Sequence, residues 1–296
     1  MCRLFGMSSG HRPMSATFWL LDAPDSLAAQ SRRNPDGYGI GFFDGDGTPH
    51  VDKRPASAYH DEAFAREARE LRSSTFVAHV RYASTGGRTV ENTHPFVHGG
   101  LEFAHNGVVG DLEKLESELG GYRAIVKGDT DSERLFALIV KEIEATDGDV
   151  EAGLVAAVEW VAGNLPVFAI NLVLASAGHV WALRYPESHE LLILERAAGG
   201  PRGRRHLDAA SPAGTLRVRS AELGARAAVI VASEQMDEDP GWRALDVGEM
   251  VRIAPDLDVT SRIVLDGPPA HPLTLEDLEP HAAASQRTVH QLQAGA

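Results

Sequence analysis

Three observations predict an α+β fold for this chain. Short alternating or apolar segments typical of strands recur along its 296 residues. Helical periodicity occurs at 62–71, 133–144 and 150–165. The composition, with 43% hydrophobic and 24% charged residues, is ordinary for a globular protein with a sizeable core. Composition and periodicity predict the class and go no further.

Charge and hydropathy exclude several classes of function. A formal net charge of −14 repels nucleic acid and anionic membranes, so we expect a small-molecule substrate or a protein partner, no nucleic acid and no membrane. No apolar run reaches the ~18 residues of a membrane span, and no signal-peptide pattern opens the sequence. One cysteine precludes an internal disulfide. These features predict a cytoplasmic protein.

The first element is a strand that begins at Cys2, the only cysteine of the sequence. If Met1 is removed, Cys2 carries both a thiol and a free α-amine. An ordinary thiol pKa near ~8.5 and an α-amine pKa near ~8 are closely matched, so the amine can activate the thiol as a nucleophile. The alternative is a buried structural cysteine at the start of a core strand.

A turn and a glycine-interrupted strand follow at 34–43. Glycines inside a strand mark the close approach of a ligand or another backbone, or else a bend or bulge. A hairpin is predicted at 44–47, and a helix at 62–71 precedes a strand at 75–82. Arg81 ends that strand beside a glycine-rich loop, where a guanidinium can hold a carboxylate by two parallel hydrogen bonds. A surface salt bridge is the alternative.

The next strand, at 101–105, ends in Asn106-Gly107. This dipeptide commonly forms a hairpin turn, which is the alternative to a functional role. Further on, Thr130 and Glu133 form a capping box and 133–144 has helical periodicity, so a helix is predicted with Asp131 as its first residue. A carboxylate is favoured there by the helix dipole alone.

The second half contains the predicted helix at 150–165 and several strands. Six strands are expected, at 167–175, 180–184, 191–195, 216–218, 227–232 and 250–253. A basic island at 201–206 is interpreted as a solvated loop. A short helix is predicted at 275–279, and the last ten or so residues are expected to be mobile.

Six motifs, taken together, identify the sequence as similar to the class II glutamine amidotransferases of the N-terminal-nucleophile (Ntn) hydrolase superfamily, in particular to their short stand-alone members. In order along the chain they are Met1-Cys2-Arg3, Asp36-Gly37-Tyr38-Gly39, His79-Val80-Arg81-Tyr82-Ala83-Ser84-Thr85-Gly86, Asn92-Thr93-His94-Pro95-Phe96, His105-Asn106-Gly107 and Thr130-Asp131-Ser132-Glu133. The resemblance implies a four-layer αββα sandwich, with the family domain over 1–265 and a C-terminal extension over 266–296.

The resemblance also implies roles for individual residues. Cys2 would attack the side-chain amide of glutamine and form a γ-glutamyl thioester, releasing ammonia. Asn106 and the backbone N–H of Gly107 would form the oxyanion hole. Arg81 would bind the α-carboxylate of glutamine and Asp131 its α-ammonium group.

Two further residues are assigned to the substrate pocket by their position beside these groups, namely His79 and Tyr82. His79, His94 and His105 lack a cysteine or acidic partner at metal-ligand spacing, so no metal is expected. We expect His79 and His105 to orient loops around the pocket by hydrogen bonds. No cofactor is expected.

Three functions remain open at this point. The first is a stand-alone glutaminase or amidotransferase subunit, releasing ammonia alone or to an ammonia-accepting partner protein. The second is a hydrolase of another γ-glutamyl amide, as in the ergothioneine-pathway relatives. The third is a non-catalytic binding or regulatory protein that retains the glutamine pocket, although such a protein would not need the thiol.

Overall fold

A computed structural model describes residues 2–199, 209–210, 217–218 and 225–286. In chain order the strands are β1 (Arg3–Ser8), β2 (Gly37–Phe43), β3 (Pro49–Arg54), β4 (Thr75–Arg81), β5 (Phe96–His98), β6 (Leu101–Val109), β7 (Pro166–Ser176), β8 (His179–Leu183), β9 (Leu192–Arg196), β10 (Ala209–Ala210), β11 (Arg217–Val218), β12 (Ala228–Ala232), β13 (Arg243–Ala244), β14 (Glu249–Ile253), β15 (Val259–Ile263) and β16 (His271–Pro272). The helices are α1 (Leu27–Gln30), α2 (Glu62–Glu70), α3 (Leu112–Leu119), α4 (Asp131–Ala145), α5 (Val150–Asn164) and α6 (Pro280–Gln286). A π-helical turn spans Phe18–Asp22, and a 3₁₀ turn spans Gly120–Ile125.

Two seven-stranded sheets form the centre of the fold. The first has the order β13-β9-β12-β1-β4-β2-β3 and is antiparallel throughout. The second has the antiparallel order β15-β14-β8-β7-β6-β5, with β16 added parallel to β7. Strand β1 therefore lies in the middle of the first sheet, with hydrogen-bonded neighbours on both sides.

The two sheets pack face to face between two layers of helices. Leu4 and Val77 of the first sheet meet Val173 and Ala182 of the second in one apolar cluster. Because side chains alternate along a strand, Phe5 points the other way, into a cluster with α1, α2 and the π-helical turn. A third cluster joins the outer face of the second sheet to α4 and α5. This is the αββα sandwich expected from the resemblance.

The packing of α4 on β6 fixes the two elements that carry the predicted site residues. The rings of Phe103 on β6 and Phe136 on α4 stack with centroids 5.2 Å apart. Thr130 caps α4 as predicted, because its hydroxyl accepts the N–H of Glu133 at 3.3 Å. The Glu133 carboxylate accepts the N–H of Gly128 at 2.6 Å, so both residues of the motif stabilise the helix start.

The glycines of β2 allow the segment before β5 and strand β6 to approach the first sheet closely. A Cβ at Gly39 would collide with the carbonyl oxygen of His94, and one at Gly41 would collide with the carboxylate of Glu102. Close approach is therefore the correct interpretation of these glycines, rather than a bend. It brings the 93–95 segment onto the first sheet, where Lys53 donates to the carbonyl of Thr93 at 2.7 Å.

Most predicted elements are confirmed within one or two residues, and two are wrong. Strand β6 continues through Asn106-Gly107, which is paired to β7, so this dipeptide is not a turn. The stretch 275–279 is a turn in which Thr274 and Asp277 bond each other, and the helix begins at Pro280. The island at 201–206, residue 216 and the last ten residues lie outside the described residues. No helix within the described ranges combines the length and apolar character that crossing a bilayer requires.

Candidate active site

Cys2 lies directly before β1 and is held against Tyr82, the residue that follows β4. The Sγ atom donates to the carbonyl of Tyr82 at 3.3 Å and accepts its N–H at 3.2 Å. The cysteine is 8% exposed, so the sulfur is enclosed but close to the surface. Register fixes this contact, because β1 pairs with β4 and Arg3 lies opposite Val80.

Burial raises the pKa of the Cys2 thiol above its ordinary value, and the N–H of Tyr82 and the charges of Arg81 and Arg3 oppose the shift. The thiol therefore needs a base before it can attack. Such a base is the chemical role that a free α-amine on the same residue would fill.

The start of β1 is anchored by the later part of the chain. Arg3 is 3% exposed and forms an ion pair with Glu234 at 2.5 Å, and Ser233 accepts the N–H of Leu4 at 2.9 Å. The Ser233-Glu234 pair thus fixes the residues that follow Cys2.

Arg81 is buried and its guanidinium holds the glycine-rich loop after β4. It donates to the carbonyls of Thr85 at 2.6 Å, Gly86 at 3.4 Å and Gly87 at 3.0 Å. Burial lowers its pKa, while Cys2, Asp36 and Asp131 raise it. The Arg81 guanidinium, predicted to bind a carboxylate, is therefore close enough to Cys2 and to Asp131, the predicted ammonium-binding group, for both to affect its pKa.

Asp131 is also buried, at the first residue of α4. One carboxylate oxygen accepts the N–H of Val109 at 2.9 Å, and the other accepts the hydroxyls of Thr85 and Ser132 at 3.4 Å each. The carboxylate thus connects α4, the end of β6 and the loop held by Arg81. Its position serves the helix start as well, so the two sequence interpretations are compatible.

Asn106 is 1% exposed on the face of β6 that points between the sheets, and β6 packs against β1 and β4. Neither its Nδ2 nor its Oδ1 has a hydrogen-bond partner among the described residues. A buried amide without a partner costs about 1–3 kcal/mol, so a native protein has to retain it for a reason other than stability. A ligand oxygen is a suitable partner for Nδ2.

Gly107 is required by the neighbouring strand. A Cβ at this position would collide with the carbonyl oxygen of Ala169 on β7 and crowd the ring of His105. The backbone of Gly107 can therefore occupy a place that no other residue permits.

Three buried histidines surround this region. His105 lies between Ser132, at 2.9 Å, and the carbonyl of Ala169, at 3.2 Å. The ring of His79 packs against that of His94 with centroids 4.3 Å apart. Burial lowers the pKa of His79 to about 3, and it lowers those of His94 and His105 as well, so all three are neutral at pH 7.

Three polar residues near these groups have no role predicted from the sequence. Asp36 accepts the N–H of Ala83 at 2.9 Å and forms an ion pair with Arg88 at 2.6 Å. Asn92 donates to the carbonyl of Gly87 at 3.2 Å and accepts the N–H of Asp129 at 2.8 Å. Asp36 and Asn92 are the first residues of two of the six sequence motifs, so their position could have identified them as functional.

The third such residue, Asn171, lies opposite Asn106 in the β6–β7 register. Its side chain donates to the carbonyls of His189 at 3.3 Å and Glu190 at 3.2 Å, and it accepts the N–H of Tyr185 at 2.9 Å. Its signal was a polar residue inside the longest apolar run. In the described part of the chain, no three histidine, cysteine or acidic side chains cluster as metal ligands.

This chain is similar to known proteins over most of its length. The description of the family that matches residues 1–262 is glutamine amidotransferases class-II. The gamma-glutamyl-hercynylcysteine sulfoxide hydrolase of Mycobacterium tuberculosis is 40% identical over 119 residues, which are 37% of this chain and 50% of that protein. The amidophosphoribosyltransferase of Methanocaldococcus jannaschii is 33% identical over 157 residues, 51% of this chain and 32% of that protein.

A solved structure shares the fold. The glutamine aminotransferase class-II domain protein SPO2029 of Silicibacter pomeroyi aligns with a TM-score of 0.57 at 20% identity, over 89% of this chain and 100% of that one. The matched part of this chain spans about a third of the first curated relatives and half of the Mycobacterium tuberculosis protein. With the αββα sandwich and the match over residues 1–262, the chain belongs to the class II glutamine amidotransferase family.

Proposed function

We propose that this protein is a stand-alone glutaminase that hydrolyses the side-chain amide of glutamine through a γ-glutamyl thioester on Cys2 and releases ammonia. The proposal includes removal of Met1, a reducing compartment such as the cytoplasm, in which the thiol stays free, and transfer of ammonia either to solvent or to an accepting partner protein.

In the first step the free α-amine of Cys2 takes the thiol proton through one water molecule, and the sulfur attacks the amide carbon. The carbonyl becomes a tetrahedral oxyanion. The C–N bond then breaks, the amine returns the proton to the leaving nitrogen, and ammonia departs. Water attacks the thioester in the same way, which releases glutamate and restores the thiol.

The observation that carries this proposal is the buried, unpartnered amide of Asn106. Nδ2 would donate to the oxyanion together with the backbone N–H of Gly107. One such donor typically contributes ~10²–10³ to the rate. A structural role would instead have supplied the amide with protein partners, as Asn171 has.

The two charged ends of glutamine fit the two buried charges. Arg81 would bind the α-carboxylate, which would replace some of the loop carbonyls that it now holds. Asp131 would bind the α-ammonium group, and the backbone of Tyr82 would border the reacting sulfur. His79, a buried residue two positions before Arg81 on β4, would support the pocket as a neutral group packed against His94.

Two alternative functions would use residues of the same pocket. The 40% identity to the gamma-glutamyl-hercynylcysteine sulfoxide hydrolase favours a hydrolase of a larger γ-glutamyl amide that uses the same residues. A binding or regulatory protein would keep Arg81 and Asp131 without needing Cys2.

The test uses untagged protein. Mass spectrometry should show loss of Met1, and the glutamine analogue 6-diazo-5-oxo-L-norleucine should add to Cys2 and to no site in the Cys2→Ala variant. Ammonia release from glutamine should be lost in Cys2→Ala and in protein that retains an N-terminal tag, because the tag blocks the α-amine.

The outcomes separate the three functions. Labelling without ammonia release from glutamine, but with turnover of another γ-glutamyl amide, would favour the hydrolase. If neither wild type nor Cys2→Ala cleaves any of the amides above background, the enzymatic proposal is overturned and the binding protein is the better explanation.

A further inference from the structure

Residues 266–286, here called the C-terminal segment, fold back against the start of β7 in the second sheet. Ala270 donates its N–H to the carbonyl of Ala162 at 2.8 Å, and Leu273 donates to that of Val167 at 2.9 Å. Strand β16 pairs in parallel with the first residues of β7. The segment is therefore attached to the strand that lies beside Asn106 and Gly107.

Apolar contacts continue this attachment toward the candidate site. Leu273, Leu275 and Leu278 pack against a small buried cluster on β6 and β7, formed by Val108, Phe168 and Ala169. Val108 directly follows Gly107 in the chain. The segment thus covers the strands immediately next to the proposed oxyanion hole.

One end of α6 is joined through His189 to Asn171, the strand neighbour of Asn106. Gln286 is 1% exposed, and its Oε1 lies 2.8 Å from Nε2 of His189. The carbonyl of His189 accepts from Asn171, which lies opposite Asn106 on β7. A chain of contacts therefore runs from α6 to the proposed oxyanion hole.

The other end of α6 reaches Tyr82. The ring of His281 lies 6.1 Å from the ring of Tyr82, centroid to centroid, and the backbone of Tyr82 holds the sulfur of Cys2. His281 is exposed, whereas the next two residues of the helix, Ala282 and Ala283, are buried. Helix α6 therefore contacts Tyr82, which holds the proposed nucleophile, and His189, which is bonded to Asn171, the strand neighbour of the proposed oxyanion donor.

We propose that α6 forms the leaving-group wall of the pocket and makes the enzyme select glutamine over γ-glutamyl amides with larger amines. This inference rests on the proposed function. The α-carboxylate and α-ammonium ends of the substrate are assigned to Arg81 and Asp131, so the amide nitrogen must face another side. With Cys2 only 8% exposed and Asn106 1% exposed, a packed helix there leaves room for ammonia and opposes a bulky amine.

The experiment changes the width of this wall in both directions in the full chain. His281→Ala should widen it and His281→Trp should narrow it, and His271→Ala is the matched control because His271 is an exposed histidine of the same segment. For each protein, kcat/KM is measured with glutamine and with L-glutamic acid γ-(p-nitroanilide), whose leaving group is large.

We expect the anilide-to-glutamine ratio of kcat/KM to rise about tenfold in His281→Ala and to fall in His281→Trp, which is within the range of steric discrimination by a pocket. The ratio in His271→Ala should equal that of wild type. Gln286→Ala, which releases the contact with His189, should raise the ratio in the same direction as His281→Ala.

The failures of the two proposals are distinguishable. If wild type releases no ammonia from glutamine, the proposed function is wrong. If glutamine is hydrolysed but the anilide-to-glutamine ratio of kcat/KM in both His281 variants equals that of His271→Ala, the proposed function is supported and the proposed role of α6 is wrong. Parallel losses with both substrates would assign α6 a purely structural role and would also overturn the inference.

Discussion

Replacing Asn106 by leucine should separate activity from stability. The asparagine is 1% exposed and both of its polar side-chain atoms lack a partner among the described residues. An unsatisfied buried polar group costs about 1–3 kcal/mol, and leucine has the same branching without polar atoms. We expect Asn106→Leu to raise the free energy of unfolding by about 1–3 kcal/mol while lowering kcat by ~10²–10³-fold, the usual loss for one oxyanion donor.

The chain offers a matched control on the adjacent strand. Asn171 is opposite Asn106 and equally buried, but its side chain makes three hydrogen bonds, to His189, Glu190 and Tyr185. Asn171→Leu should therefore lower the free energy of unfolding by about 3 kcal/mol, since each lost bond contributes ~1 kcal/mol.

Urea denaturation followed by circular dichroism measures the stability of both variants, and ammonia release from glutamine measures kcat. If Asn106→Leu destabilises the protein as much as Asn171→Leu does, then Asn106 has partners in solution and the argument from its isolation fails. If Asn106→Leu retains wild-type kcat, the proposed oxyanion role fails instead.

Two further predictions concern Arg81 and Glu102. Arg81→Ala should raise KM for glutamine at least about tenfold with a smaller effect on kcat, because it removes a ground-state contact; steady-state kinetics showing the reverse pattern would mean that Arg81 acts on the transition state. Burial raises the pKa of Glu102 well above its ordinary value, so the folded protein keeps this carboxyl protonated while the unfolded chain ionises above ~4.3. Its contribution to stability is complete below that pH and is lost, by up to about 1.4 kcal/mol per pH unit, as pH rises toward the folded pKa. The stability gained in Glu102→Gln should therefore grow between about pH 5 and 7 in denaturation experiments. A difference from wild type that stays constant over this range would contradict the predicted protonation.

Features decided by neighbouring residues were predicted well. Thr130 and Glu133 determine the start of α4, because the side chain of each accepts a backbone N–H from a residue nearby in the chain. For the glycines of β2, the sequence left close approach and a bend both open, and it could not show that His94 and Glu102 are the residues that approach.

Features decided by distant pairing were not predicted. Asn106-Gly107 has a strong local preference for a turn, but pairing with β7 keeps both residues in a strand. Whether the side chains of Asn106 and Asn171 find hydrogen-bond partners depends on which distant segments pack against each of them. No local sequence pattern shows this. Near residue 277, a bond between Thr274 and Asp277 forms a turn, and Pro280, which suits the first position of a helix, starts α6 afterwards.

The register of β1 has a consequence for biosynthesis. Phe5 has Ala78 on one side and Ala232 on the other, so the second neighbour leaves the ribosome long after the first. These two neighbours are 154 residues apart, so at ~5–20 residues per second the delay is roughly 8–31 seconds. During that interval the nascent chain cannot complete the sheet around its first strand, and the end that bears the thiol stays accessible to a processing peptidase before folding encloses it.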